Sequence, residues 1–161
     1  MTPAEVASGE HSAMVAEATG KNDGVPAERY MRGDELPWCA GFVLWCFEKA
    51  GFPLHEETGQ YYQMRKVDAF ELIMKKRNLW FPAHDMRSKP PKPNDILFLD
   101  QRGDSDMGPG RHMGIVHSVG PTRVRSYDGN WGNKVSSVGR WRADRSITGY
   151  ARVDIKPRLI T

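Results

Sequence analysis

Cys39 stands third in the run Pro-Trp-Cys-Ala-Gly-Phe-Val-Leu-Trp-Cys over 37–46, at the head of an apolar segment that continues to Ala50. A thiol in the first turn of a helix lies at the positive end of the helix dipole, beside backbone N–H groups without a partner inside the helix. Both favour thiolate over thiol. The thiolate is the reactive nucleophile, and an imidazole next to it would take up the proton. The competing reading is a buried core cysteine, a common fate of free cysteines. The position of Cys39 alone does not separate the two.

The imidazole has to come from His11, His55, His84, His112 or His117. The run Arg-His-Met-Gly-Ile-Val-His-Ser-Val over 111–119 has the composition of a strand, in which alternate residues share a face. His112, Gly114, Val116 and Ser118 then fall on one side, and Met113, Ile115, His117 and Val119 on the other. His112 opens the strand beside a small residue and is placed to meet a helix end. His117, between two aliphatic residues, is more simply a packed or outward-facing histidine. A third group is needed to orient the ring and fix its tautomer. Tyr-Asp-Gly-Asn-Trp over 127–131 offers Asp128 and Asn130, which share a side of an extended chain. One would bind His112, and the other would polarise the carbonyl under attack or hold the loop. A plain hairpin turn accounts for Asp-Gly-Asn equally well.

These groups need elements to carry them. Thr2, Pro3 and Glu5 make a helix start with a capping box, and Gly20 is a plausible stop. A short helix is expected over 25–33, ended by Gly33. A buried helix is expected over 38–50, where the apolar residues run nearly all round. A further helix is predicted from Tyr61 to Lys76, with Met64, Val67, Phe70, Leu72, Ile73 and Met74 on its apolar stripe. Pro82, Pro90, Pro91 and Pro93 mark a loop. Strands follow over 95–99, 112–119, 123–129 and 146–155, separated by a Gly-rich polar connection over 101–111 and a Gly- and Arg-containing loop over 131–144. Helices first and an antiparallel sheet after them make an α+β layout.

The totals agree with that plan. A chain of 161 residues suits a single domain, and 39% apolar with 27% charged residues suits a globular protein. A formal charge of +3 helps approach to an anionic surface without selecting one. The two cysteines, Cys39 and Cys46, would lie about 10.5 Å apart along one helix, beyond the roughly 7 Å a disulfide spans. They are therefore expected to be free thiols in a reducing compartment. The first twenty residues have no basic head and apolar core, so no secretory signal is expected, and no apolar run reaches the ~18 residues of a membrane span. Lys134, Arg140, Arg142 and Arg145, with Trp141, make 134–145 either a phosphate-binding surface or, more simply, a solvated face with Trp141 packed inward. Of the tryptophans, Trp38 and Trp131 flank the catalytic candidates and are the better choices for lining a substrate cleft.

Together, PWCAGFVLWCFEKAG at 37–51, KPNDILFL at 92–99, RHMGIVHSV at 111–119, YDGNWG at 127–132 and ITGYARV at 147–153 resemble the successive blocks of a CHAP domain (cysteine, histidine-dependent amidohydrolase/peptidase). The resemblance spans roughly 20–155 and implies one catalytic domain over the whole chain, 1–161, with a papain-like α+β fold. By motif position Cys39 would be the nucleophile and His112 the general base. Asp128 would replace the third residue, often glutamate in the family, and Asn130 would match the polar residue after it. Aspartate is one methylene shorter, which leaves open whether Asp128 or Asn130 holds His112. The implied substrate is peptidoglycan, cut at the N-acetylmuramoyl-L-alanine amide or within its peptides.

Some family members carry a calcium loop before the nucleophile. Here Met-Arg-Gly-Asp-Glu-Leu-Pro-Trp-Cys supplies only Asp34 and Glu35, while Asp100, Asp104 and Asp106 lack EF-hand spacing. No metal or other cofactor is expected. The setting expected from these readings is a phage-type endolysin, a monomer made in the cytoplasm and acting in the periplasm or cell wall, with no nucleic-acid partner and no membrane insertion. The alternatives are a secretion-system amidase effector, a cysteine peptidase with a non-wall substrate and, last, a non-catalytic binding module.

Overall fold

The computed structural model describes residues 1–56, 58–101 and 111–156. Helices come first: α1 (Pro3–Ser12), α2 (Val25–Tyr30), α3 (Cys39–Lys49), α4 (Tyr61–Met64) and α5 (Val67–Lys76). Strands follow: β1 (Trp80–Pro82), β2 (Ile96–Asp100), β3 (Arg111–Val119), β4 (Arg123–Asp128), β5 (Ser136–Trp141) and β6 (Ile147–Ala151). They form one antiparallel six-stranded sheet in the order β1-β6-β2-β3-β4-β5. The α+β class is as expected.

Local chemistry sets most of the boundaries. The Thr2 hydroxyl accepts from the Glu5 N–H at 3.3 Å and the Glu5 carboxylate accepts from the Thr2 N–H at 2.7 Å, a complete capping box. The helix stops at Ser12 and does not run to Gly20. Beyond it Met14 and Ala16 face solvent while Val15 alone is buried, so no apolar stripe rewards another turn. The helix predicted over 61–76 is broken. Lys66 is extended (φ −101°, ψ 127°), and Arg65 is drawn aside by the Met31 carbonyl at 3.0 Å and Asp34 at 2.6 Å. α5 restarts at Val67 and buries Val67, Phe70 and Met74, leaving Leu72 exposed.

Two strands lie where loops were expected. β1 is an edge strand on β6, where Pro82 can sit without a ladder partner for its missing N–H. β5 pairs with β4 along its length, Arg123 opposite Trp141 through Asp128 opposite Ser136. Its sequence, Ser-Ser-Val-Gly-Arg-Trp, has little strand character alone, and pairing with β4 makes it a strand.

The centre of the sheet is buried on both faces. Ile96, Phe98, Met113 and Ile115 pack under Phe42, Val43, Phe47, Phe70 and Met74 of the helices. Leu97, Leu99, Val116, Val124, Ile147 and Tyr150 form a second cluster with Met86 on the other side. Each such side chain contributes about 1.5–3 kcal/mol on burial. α3 is seated by two glycines. A Cβ on Gly41 would lie 2.6 Å from the Tyr30 carbonyl, and one on Gly129 would lie 2.5 Å from Phe42 Cβ. These close approaches fix the N-terminal end of α3 between α2 and the β4–β5 turn.

Candidate active site

Cys39 is the first residue of α3, and no side chain caps that helix end. Its backbone N–H is therefore one of the donors the helix leaves unpaired. Cys39 is 8% exposed, and that opening faces a cleft of ≈ 510 Å³ lined also by Leu36, Pro37, Tyr62, Lys66 and Arg111. Both cysteines are free thiols. Cys46, further along the same helix, is fully buried, and burial pushes its thiol well above the ordinary range.

His112, buried at the start of β3, approaches Cys39 from the sheet. Its Nε2 lies 2.8 Å from Asp128 Oδ2. Burial by itself disfavours the imidazolium. The hydrogen bond to Asp128, a hydrogen bond with Cys39 and the charges of both outweigh burial, raising the His112 pKa to about 9. With Nε2 taken by Asp128, Nδ1 is the ring nitrogen left for Cys39.

Asp128 is fully buried at the end of β4. Burial alone would raise its pKa, but the Arg140 charge and the bonds to His112 and Arg140 hold it below the usual carboxylate range. Arg140 Nη2 donates to Asp128 Oδ2 at 2.6 Å, and Arg140 Nη1 donates to Ser126 Oγ at 2.9 Å. Ser126 Oγ in turn donates to Asp128 Oδ1 at 2.5 Å. A buried carboxylate keeps its charge only with such company. Room for it comes from Gly114, where a Cβ would lie 2.1 Å from Asp128 Oδ1. Trp131 closes the arrangement, its ring 5.2 Å from the His112 ring and 4.9 Å from the Arg140 guanidinium.

Arg140, Asp128 and His112 thus form one line of hydrogen bonds, and Cys39 acts on the His112 ring at its end. Asn130 lies off it. Its backbone is left-handed (φ 57°) and its amide donates to Asn22 Oδ1 at 3.3 Å, so Asp128 is the residue bonded to His112. Trp38 also departs from expectation. It is fully buried, stacks on Tyr30 at 5.4 Å and donates from Nε1 to Glu17 at 2.8 Å, so it packs in the core and does not line a cleft. Trp131 remains half-buried beside His112. His117 is tied up elsewhere, 3.0 Å from Ser137 Oγ and stacked on Tyr127 at 4.2 Å.

Arg140 was hidden in sequence, because 131–144 looked like a solvated loop. Once 136–141 is a strand, Arg140 falls opposite Val124 and shares the inward face of Ser126 and Asp128. Among the described residues no group of three or more His, Cys, Asp or Glu is arranged to hold a metal ion. Asp34 pairs with Arg65 at 2.6 Å and Asp100 with Arg111 at 3.5 Å, while Asp104 and Asp106 lie outside the described residues. A thiol, an imidazole and a buried carboxylate in line are suited to acyl transfer through a covalent thioester.

Residues 31–130 match the family model of the CHAP domain. No curated protein and no solved structure matches the chain. The matched stretch includes Cys39, His112, Asp128 and Asn130 and ends before β5, so Arg140 lies outside it.

Proposed function

The chain belongs to the CHAP-domain family, whose members are peptidoglycan amidases and peptidases, and on that premise we propose that it hydrolyses an amide of the wall peptide with Cys39 as nucleophile. The observation that supports this most is the His112 ring, bonded to Asp128 and near enough to Cys39 for the thiol to help raise its pKa.

In the proposed sequence His112 holds the Cys39 proton while Sγ attacks the amide carbon. The Cys39 N–H, at the open end of α3, stabilises the developing oxyanion. His112 then gives its proton to the leaving amine, and the acyl group remains on Sγ as a thioester. Water, deprotonated by His112, attacks the thioester. Sγ leaves and a carboxylate is released. Asp128 fixes the ring and compensates the imidazolium, and Arg140 keeps Asp128 ionised and in place. The cleft beside Cys39 would receive the peptide.

The scissile bond we propose is the N-acetylmuramoyl-L-alanine amide or a bond within the peptide or its cross-link. The setting we propose is a phage-type endolysin acting on the wall after release, a role that a formal charge of +3 favours at an anionic surface. The test is wild-type and Cys39→Ala protein on purified sacculi, with released fragments weighed by mass spectrometry. Free stem peptides from wild type alone identify an amidase, and conversion of cross-linked dimers to monomers identifies an endopeptidase. Unchanged sacculi with active, folded protein would remove peptidoglycan as the substrate.

A further inference from the structure

The basic segment 134–145 divides when it folds. Arg140 turns inward to Asp128, and Arg142 donates to the carbonyls of Gly120, Pro121 and Met86. Trp141, expected to pack inward, is instead 59% exposed. On the outward face of the β4–β5 hairpin, Arg123 lies opposite Trp141 and Arg125 opposite Gly139. A Cβ on Gly139 would meet Arg123 Nη2 at 3.1 Å and Arg125 Nη1 at 3.2 Å, so both guanidinium groups converge on bare backbone. The Arg123 guanidinium is also held 4.4 Å from the Trp141 ring. Among the described residues no carboxylate pairs with Arg123, Arg125 or Lys134. The Arg125 charge is felt by its neighbour: after burial, it is the next cause lowering the His117 pKa.

Two like charges held that close repel, and an oxyanion between them would relieve the repulsion. Arginine is suited to such a ligand, since its planar fork matches a carboxylate or phosphate. The fork is not isolated from the active site. Gly139 lies in the wall of a groove of ≈ 590 Å³ whose other lining residues include His11, Met14, Lys134, Ser137 and Trp131. Trp131 is the residue against His112. Among the described residues the groove has no acidic lining residue, in contrast to the Cys39 cleft, where Asp68 is present. A polymer lying in this groove would have one end near His112 and would carry its negative charge about 10 Å of strand away.

We infer that the groove from Trp131 to the Arg123–Arg125 fork is a second binding subsite, and that it takes a carboxylate of the acidic wall peptide whose neighbouring unit is cleaved at Cys39. The inference rests on the function proposed above, but its test does not depend on cleavage. Binding is measured by co-sedimentation of Cys39→Ala protein with sacculi, with and without Arg123→Gln and Arg125→Gln together. The double substitution weakens binding about tenfold, in keeping with two solvent-exposed charge pairs lost. Methylamidation of the sacculus carboxylates weakens the Cys39→Ala protein to the same degree and removes its advantage over the double variant. Arg145→Gln, which removes a charge outside the groove, leaves binding intact. Equal losses from Arg145→Gln would reduce the effect to net charge and overturn the subsite. A loss on stripping phosphate polymers from the sacculi with hydrofluoric acid would overturn the carboxylate assignment. Fork-dependent competition by single-stranded DNA stronger than that of soluble stem peptide would reassign the surface to nucleic acid. If sacculi are bound through the fork but never cut by wild type, the catalytic reading fails and the subsite stands.

Discussion

Cys39 and Cys46 sit on the same helix, two turns apart, and only one of them meets an imidazole. Cys46 lies among Tyr30 and the α3 core, fully buried, where burial keeps it a neutral thiol. Cys39 is nearly as buried, but it occupies the helix end, borders a cleft and shares His112 with Asp128. The difference is one of address. A helix end exposes donors and admits a neighbour from another element, whereas a mid-helix position offers only packing.

The sharpest break of that comparison is Cys39→Ala, expected to abolish hydrolysis, at least about 10⁴-fold in kcat, as removal of a covalent nucleophile does. Iodoacetamide should label Cys39 alone in the folded protein, and labelling of Cys46 at a similar rate would contradict its burial.

Next is Arg140→Met. It leaves Asp128 without its guanidinium inside the protein, a change that costs about 3–5 kcal/mol when a buried pair is broken. The Tm should fall, and activity should fall about 10²-fold or more as Asp128 becomes easier to protonate and His112 loses its anchor. Urea denaturation curves and a pH–rate profile taken together separate the two effects. An Arg140→Met protein with unchanged kcat and an unshifted acid limb would remove Arg140 from the site.

The pH dependence has a defined sign. His112 has a folded pKa raised to about 9 from an ordinary value near 6.5. Its contribution to stability is therefore complete below about 6.5 and lost as pH rises through about 9. Asp128, with its pKa depressed, contributes above the ordinary carboxylate range, and that contribution is lost as pH falls through the lowered value. Wild-type activity should hold through neutrality and fall on the basic side near pH 9, and Asp128→Asn should move that limb to lower pH. A basic limb near pH 6.5 in wild type would contradict the coupling.

The smallest effect is expected at the other cysteine. Cys46→Ser leaves kcat near wild type and lowers stability by about 1–3 kcal/mol, the cost of a hydroxyl in a site built for a thiol. A large loss of activity without a loss of stability would give Cys46 a role that its packing does not suggest.

Much of this was legible in the chain. Thr2, Pro3 and Glu5 cap a helix by chemistry confined to one turn. The all-round apolar run after Trp38 means a buried helix, and the composition of 111–119 means a strand, whatever surrounds them. Because those signals are local, Cys39 could be read as heading a helix and His112 as opening a strand, within the CHAP family's order of blocks. What pairs across the fold could not be read. Asp128 and Asn130 share a type of chemistry and a side of the chain, and only the β4–β5 turn, with Asn130 left-handed, sends one to His112 and the other to Asn22. Trp38 looked like a cleft wall from its neighbours and is core because α2 lies on it. Arg140 meets Asp128, and Arg123 and Arg125 converge at Gly139, only because β5 pairs with β4, which sends Arg140 to one face of the hairpin and the two β4 arginines to the other. Local propensity and periodicity thus determined the elements. Strand pairing, with the close approaches permitted by Gly41, Gly114 and Gly129, decided which charges meet, because an ion pair or a fork depends on distances between residues far apart in the chain.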